Sequence, residues 1–110
     1  MSTTALDPLA LAGILRDGLK VVFGDRLRGI VLYGSRARGD AEVDSDFDFL
    51  VLLDGVESFS AERERISPVA CDLSLEHDIV VSALPVSEQA FASLETPLFL
   101  NARREGIVLT

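Results

Sequence analysis

The chain has 110 residues, 48% of them apolar and 25% charged. That is one ordinary domain with one core and no room for a separate substrate domain, and the balance excludes a disordered chain. A net charge of −8 argues against nonspecific binding to nucleic acid or anionic membrane and suits a basic protein partner better.

Apolar groups at Leu6, Leu9, Leu11, Ile14, Leu15, Leu19, Val22 and Phe23 have helical spacing and predict an amphipathic helix over residues 5–23. Asp7 caps it, Pro8 suits its first turn, and Gly24-Asp25 ends it. Residues 28–33 read as a buried strand that stops at Gly34, and the Gly34–Gly39 turn leads into a short helical turn. A second strand covers residues 46–53, with a turn signal at Asp54-Gly55. A helix follows over about 60–75 with Ser60 as N-cap, and Pro68 predicts a kink or break near Ser67. Residues 79–84 form a third strand stopped by Pro85. Ser87 and Glu88 begin a short helix. Residues 97–105 make the last helix, closed by Gly106, and residues 107–109 suit a final edge strand. The order predicts a small α/β (α+β) domain, a mixed sheet with helices packed against it. The connection between the first two strands permits either pairing direction.

One cysteine, Cys71, excludes an internal disulfide, and one Cys with one His (His77) cannot build a Cys/His metal cluster. Cys71 is expected in the core. No long apolar run and no basic leader are present, so neither a signal peptide nor a membrane span is expected, and the cytoplasm is the default location.

The chemistry concentrates in residues 34–48, where Gly34-Ser35 precedes Asp46-Phe47-Asp48 by ten residues. Gly34 lets backbone approach a phosphate, and the amides after it and the Ser35 hydroxyl can donate to phosphate oxygens. Arg36 and Arg38 can add charge-assisted contacts or can pair with Asp40, Glu42 or Asp44. A Walker A loop is excluded because the turn has no lysine. Strand alternation puts Asp46 and Asp48 on one face with Cα atoms about 6.6 Å apart. Two carboxylates about 5 Å apart repel by roughly 3 kcal/mol at an effective dielectric near 20. A divalent cation with oxygen ligands offsets this, and Mg²⁺ fits best because it shares its shell with substrate phosphates. Asp78, opening the third predicted strand, is the candidate third acid, as metal ligand or as base. Glu76 and Asp72 compete with it. His77 is expected to face away from Asp78, and Tyr33 to be core or pocket wall.

Gly-Ser, ten residues, Asp-x-Asp resembles the signature of the nucleotidyltransferase superfamily related to DNA polymerase β. The tail from Glu95-Thr96-Pro97-Leu98 to Arg103-Arg104-Glu105-Gly106-Ile107 resembles its minimal nucleotidyltransferase (MNT) branch, and the likeness spans roughly residues 28–110. The resemblance implies a polymerase β-like nucleotidyltransferase fold, triphosphate binding by Gly34 and Ser35, and metal binding and catalysis by Asp46, Asp48 and Asp78. It implies attack of a hydroxyl on the α-phosphate of a nucleoside triphosphate, with two Mg²⁺ ions assisting. Many MNT proteins pair with a HEPN ribonuclease toxin as its antitoxin, in characterised pairs by transferring AMP from ATP to a toxin tyrosine. Two functions of different class follow: an Mg²⁺-dependent transferase modifying a partner protein, or an antitoxin that inhibits by complex formation with weak or no transfer. A stand-alone small-molecule transferase is disfavoured by the single small domain. Phe91, Leu94, Leu98 and Phe99 form either a partner surface or core.

Overall fold

The computed structural model describes residues 7–39 and 46–109. Its first helix, α1 (Pro8–Phe23), has Asp7 as N-cap, with the carboxylate accepting from the Leu9 amide at 3.1 Å. Expected residues 5 and 6 lie outside the described part. A short 3₁₀ turn (Gly24–Arg26) leads into β1 (Leu27–Tyr33). Then come α2 (Ser35–Arg38), β2 (Phe47–Leu53), α3 (Phe59–His77), β3 (Val81–Ser87), α4 (Glu88–Ser93), α5 (Pro97–Glu105) and β4 (Ile107–Leu109). The sheet order is β3-β2-β1-β4. β1 runs antiparallel to both β2 and β4, and β2 runs parallel to β3.

Strand alternation divides the core in two. Ile30, Leu32, Phe49, Val51 and Leu53 face α1 and α3, packing with Leu15, Leu19, Ile66 and Leu73. Val31, Leu50 and Leu52 point the other way, toward Phe91 of α4 and Ala102 of α5, with Leu84 and Phe99 at the margin. Each such aliphatic or aromatic side chain removed from water stabilises the fold by about 1.5–3 kcal/mol. Asp48 has the parity of Leu50 and Leu52, so it belongs to the α4/α5 face. That placement decides which other residues can reach it.

Several expected boundaries move, each for a local reason. The N-cap of α3 is Ser58, whose hydroxyl accepts from the Ala61 amide at 3.3 Å, and Ser60 is already helical. Pro68 neither breaks nor ends α3; the helix runs through it, its exposed ring pointing to solvent. Pro85 does not stop β3, which begins two residues later than expected and continues to Ser87. As the outer strand of the sheet, β3 tolerates a residue without an N–H on its unpaired edge. Cys71 is exposed, not core. Gly106 sits where α5 turns into β4: a Cβ there would lie 2.3 Å from the Ala102 carbonyl oxygen and 2.8 Å from Val31 Cγ1.

Candidate active site

At the end of β1 the chain turns sharply through Gly34, with φ 79° and ψ −158°. The Gly34 carbonyl accepts from the Ala37 and Arg38 amides, both at 3.1 Å, and Gly39, at φ 83°, closes the turn onto the Ser35 carbonyl at 3.0 Å. Ser35 and Arg36 therefore open a helical turn, where amides have no intrahelical acceptor and suit phosphate oxygens. A Cβ built on Gly34 would lie 2.9 Å from Oδ2 of Asp48. The turn and the carboxylate are thus close neighbours, and a side chain at position 34 would require the Asp48 carboxylate to shift.

Asp48 lies opposite Tyr33 of β1 and opposite Ser82 of β3. Asp46 is exposed and precedes β2 by one residue. The Asp48 carboxyl is raised above its ordinary pKa, first by burial and second by the negative charge of Asp46. The Tyr33 phenol is raised by its own burial and by Asp48. The half-buried Tyr33 forms one wall of the site, as its position before Gly34 suggests. Two oxygen donors that repel one another, one partly desolvated, fit a hard divalent cation. Asp46 and Asp48 are the side chains that would hold it.

The other three acids considered are not brought to this pair. Asp72 and Glu76 lie on α3, which packs on the opposite face of the sheet from Asp48. Asp78 does not open β3. It is the left-handed C-cap of α3, at φ 53°, exposed, with its backbone N–H donating to the Ser74 carbonyl. Among the described residues no group of three or more His, Cys, Asp or Glu converges as a metal site. His77 ends α3, its Nε2 3.5 Å from Oε1 of Glu76. On β3 the residue that shares a level and a face with Asp48 is Ser82, which lies inside the expected third strand but belongs to no motif.

The arginines divide. The Arg36 guanidinium lies 4.2 Å over the ring of Phe47, a cation–π stack on a core residue. Arg38 Nη1 is 3.9 Å from Oε1 of Glu105 at the end of α5, an exposed pair of small energetic weight. The alternative partners Asp40, Glu42 and Asp44 lie outside the described residues. Of the four apolar residues of the last helices, Phe91 is buried and meets Phe99 edge-on at 5.8 Å, whereas Leu94 and Leu98 are exposed.

Two concavities, of about 390 and 620 Å³, lie at the other end of β2. Asp54 and Gly55 line both, Glu62 and Arg26 the first, Ser87 and Gln89 the second. They are about 20 Å along the strand from Asp48 at 3.3–3.4 Å per residue, so neither is the candidate site. Arg26 there binds both the buried Glu62 and the Gly55 carbonyl, tying α3 to the start of β1.

A sheet with Asp48 on β2 beside a glycine turn after β1, and Asp46 just before that strand, defines a class of fold and site, and the comparisons identify the family. The model of the nucleotidyltransferase domain matches residues 15–96. Two relatives from Methanocaldococcus jannaschii are named putative protein adenylyltransferase. MJ0141 is 33% identical over 69 residues, covering 63% of this chain and 69% of its own; MJ0604 is 30% identical over 94 residues, covering 84% and 88%. Among solved structures, a toxin–antitoxin crystal structure with AMP-PNP superposes with a TM-score of 0.63 at 25% identity, over 96% of this chain and 73% of that one. A structure described as a putative minimal nucleotidyltransferase gives a TM-score of 0.57 at 25% identity, over 97% of this chain and all of that one. The chain belongs to the nucleotidyltransferase-domain family and is a nucleotidyltransferase. Among its described residues no helix is long and apolar enough to cross a membrane.

Proposed function

We propose that this nucleotidyltransferase moves AMP from ATP onto a hydroxyl of a partner protein, and that the partner is a HEPN-type ribonuclease toxin neutralised in the cytoplasm by this chain as its antitoxin. The observation that carries the reading is the contact between the Gly34 turn and the Asp48 carboxylate. In this reading the place for phosphate oxygens lies directly beside the place for the accompanying cation. The names of the relatives support protein as the acceptor and adenylyl as the group. The toxin–antitoxin neighbour with AMP-PNP supports the partner and the nucleotide.

In this reading the amides of Ser35 and Arg36 and the Ser35 hydroxyl hold the triphosphate. Arg38, at the far end of the same turn, adds positive charge, and Arg36 braces the turn against Phe47. Asp46 and Asp48 hold Mg²⁺, which when bound neutralises phosphate charge and lowers the cost of forming an alkoxide. The partner's hydroxyl oxygen bonds to the α-phosphorus, its proton passes to solvent or a nearby base, and the bond to the β-phosphate oxygen breaks to release pyrophosphate. Tyr33 walls the site on the β1 side.

A second reading, neutralisation by complex formation with weak or no transfer, is favoured by one observation: no third carboxylate stands beside the pair among the described residues. Intact mass of the neighbouring-gene product, co-expressed with wild type or with Asp46→Ala/Asp48→Ala, separates the two. Adenylyl-sized mass gains present only with wild type support transfer. An unmodified partner, with neutralisation retained by both forms, refutes it in favour of the complex.

A further inference from the structure

We propose that Ser82 holds the third position of the metal site and presents a hydroxyl where a carboxylate would complete the shell. The inference rests on the reading that Asp46 and Asp48 bind a divalent cation. In the parallel β2–β3 ladder, Phe47 pairs with Val81 and Asp48 with Ser82, and the Phe47 amide donates to the Val80 carbonyl at 2.9 Å. Neighbouring strands lie about 4.8 Å apart and paired residues direct their side chains to the same face. Ser82 is therefore the residue of β3 whose side chain stands beside Asp48. It is half-buried, on the face opposite α3. Of the acids nearest to it in sequence, Glu76 belongs to α3, Asp78 caps that helix, and Glu88 opens α4 beyond the far end of β3. A β-turn's worth of chain separates Asp78 from the strand, so no small side-chain rotation exchanges the two.

The consequence is a site with two formal negative charges from the protein instead of three. A neutral hydroxyl is a weaker ligand for a hard cation than a carboxylate. Metal affinity in the absence of nucleotide should then be low, with the triphosphate supplying much of the missing charge. Replacing the hydroxyl by a carboxylate should tighten metal binding without touching the turn.

The test is a titration with Mn²⁺ alone, without nucleotide, read by electron paramagnetic resonance on wild type, Ser82→Asp, Asp78→Asn and Asp46→Asn/Asp48→Asn. Each variant is checked for folding by its melting temperature. Ser82→Asp is expected to lower the Kd for Mn²⁺ at least tenfold, and Asp78→Asn to leave it within twofold. A folded Ser82→Asp that binds no tighter, or an Asp78→Asn that binds tenfold more weakly, overturns the assignment. Should Ser82→Asp fail to fold, near-isosteric Ser82→Cys in a Cys71→Ser background decides with Cd²⁺. A thiolate-to-metal absorption band is then required, because a soft thiolate within reach of cadmium ligates it, and its absence overturns the assignment. If Asp46→Asn/Asp48→Asn binds Mn²⁺ as wild type does, the metal-site reading itself fails and takes this inference with it. The other failures leave that reading standing.

Discussion

Replacing Gly34 by alanine tests the contact on which the site is built. Two costs arise at this position. The backbone at φ 79° and ψ −158° lies in a region that is essentially glycine's own, and a side chain held there costs about 1–3 kcal/mol. The new Cβ would also stand 2.9 Å from Asp48 Oδ2, where ordinary contact begins at 3.4 Å. The carboxylate must therefore withdraw by roughly half an ångström, at a cost near the low end of the about 1–3 kcal/mol typical of overpacking. Together about 2–4 kcal/mol is expected, and each kcal/mol lowers Tm by about 4–8 °C in a domain of near this size. The assay is thermal unfolding of Gly34→Ala in the wild-type and Asp48→Ala backgrounds. Alanine at 48 removes the oxygen but not the backbone strain. The cost of Gly34→Ala should fall by about 1 kcal/mol there, within the range of coupling between touching residues. An unchanged Tm for Gly34→Ala refutes the turn geometry. An equal cost in both backgrounds refutes the contact with Asp48.

Gly106→Ala should lower the urea midpoint by the equivalent of at least about 1–3 kcal/mol, because the added methyl meets the Ala102 carbonyl and Val31 rather than open space; an unchanged midpoint contradicts the packing of α5 onto β1. Asp48→Asn should be more stable than wild type at neutral pH without metal, by no more than about 1 kcal/mol given the solvent screening of a group only partly buried. Because the folded protein raises the Asp48 pKa above 3.8, that advantage is full above the folded pKa and disappears below the unfolded one. Melting curves from acid to neutral pH should show the gap closing on acidification, and a gap that widens instead contradicts the sign. Arg36→Lys keeps the charge but loses the planar stack on Phe47, so it should cost about 0.5–1 kcal/mol of stability without nucleotide; wild-type stability in that variant would contradict a bracing role.

Much of the architecture was legible because local signals agree with the tertiary outcome. Asp7-Pro8, the apolar spacing that follows and Gly106 mark real ends of helices, and the Gly34–Gly39 turn forms where its glycines put it. What failed was read from single residues whose effect depends on their neighbours. Pro85 breaks a strand only where its missing N–H is needed, and the unpaired edge of an outer strand removes that need, whereas α3 continues through Pro68 despite the backbone hydrogen bond that proline forgoes. A strand drawn from Ile79 puts Asp78 at its threshold, whereas Asp78 caps α3 and Ser82 is the β3 neighbour of Asp48. Register between strands distant in sequence is set by packing of the two faces, which no short motif reports. The Gly34–Asp48 contact has the same character: the motif displays both residues but not that one occupies the space a Cβ on the other would need.

The central claim is that the group leaving ATP departs from its α-phosphorus. It is tested most directly by incubating this protein, Mg²⁺ and its partner with ATP labelled either at the α- or at the γ-phosphate, and counting label retained in protein. The account predicts retention of α-label only, lost with Asp46→Asn/Asp48→Asn. Retention of γ-label, or α-label retained equally by the doubly substituted protein, would contradict it.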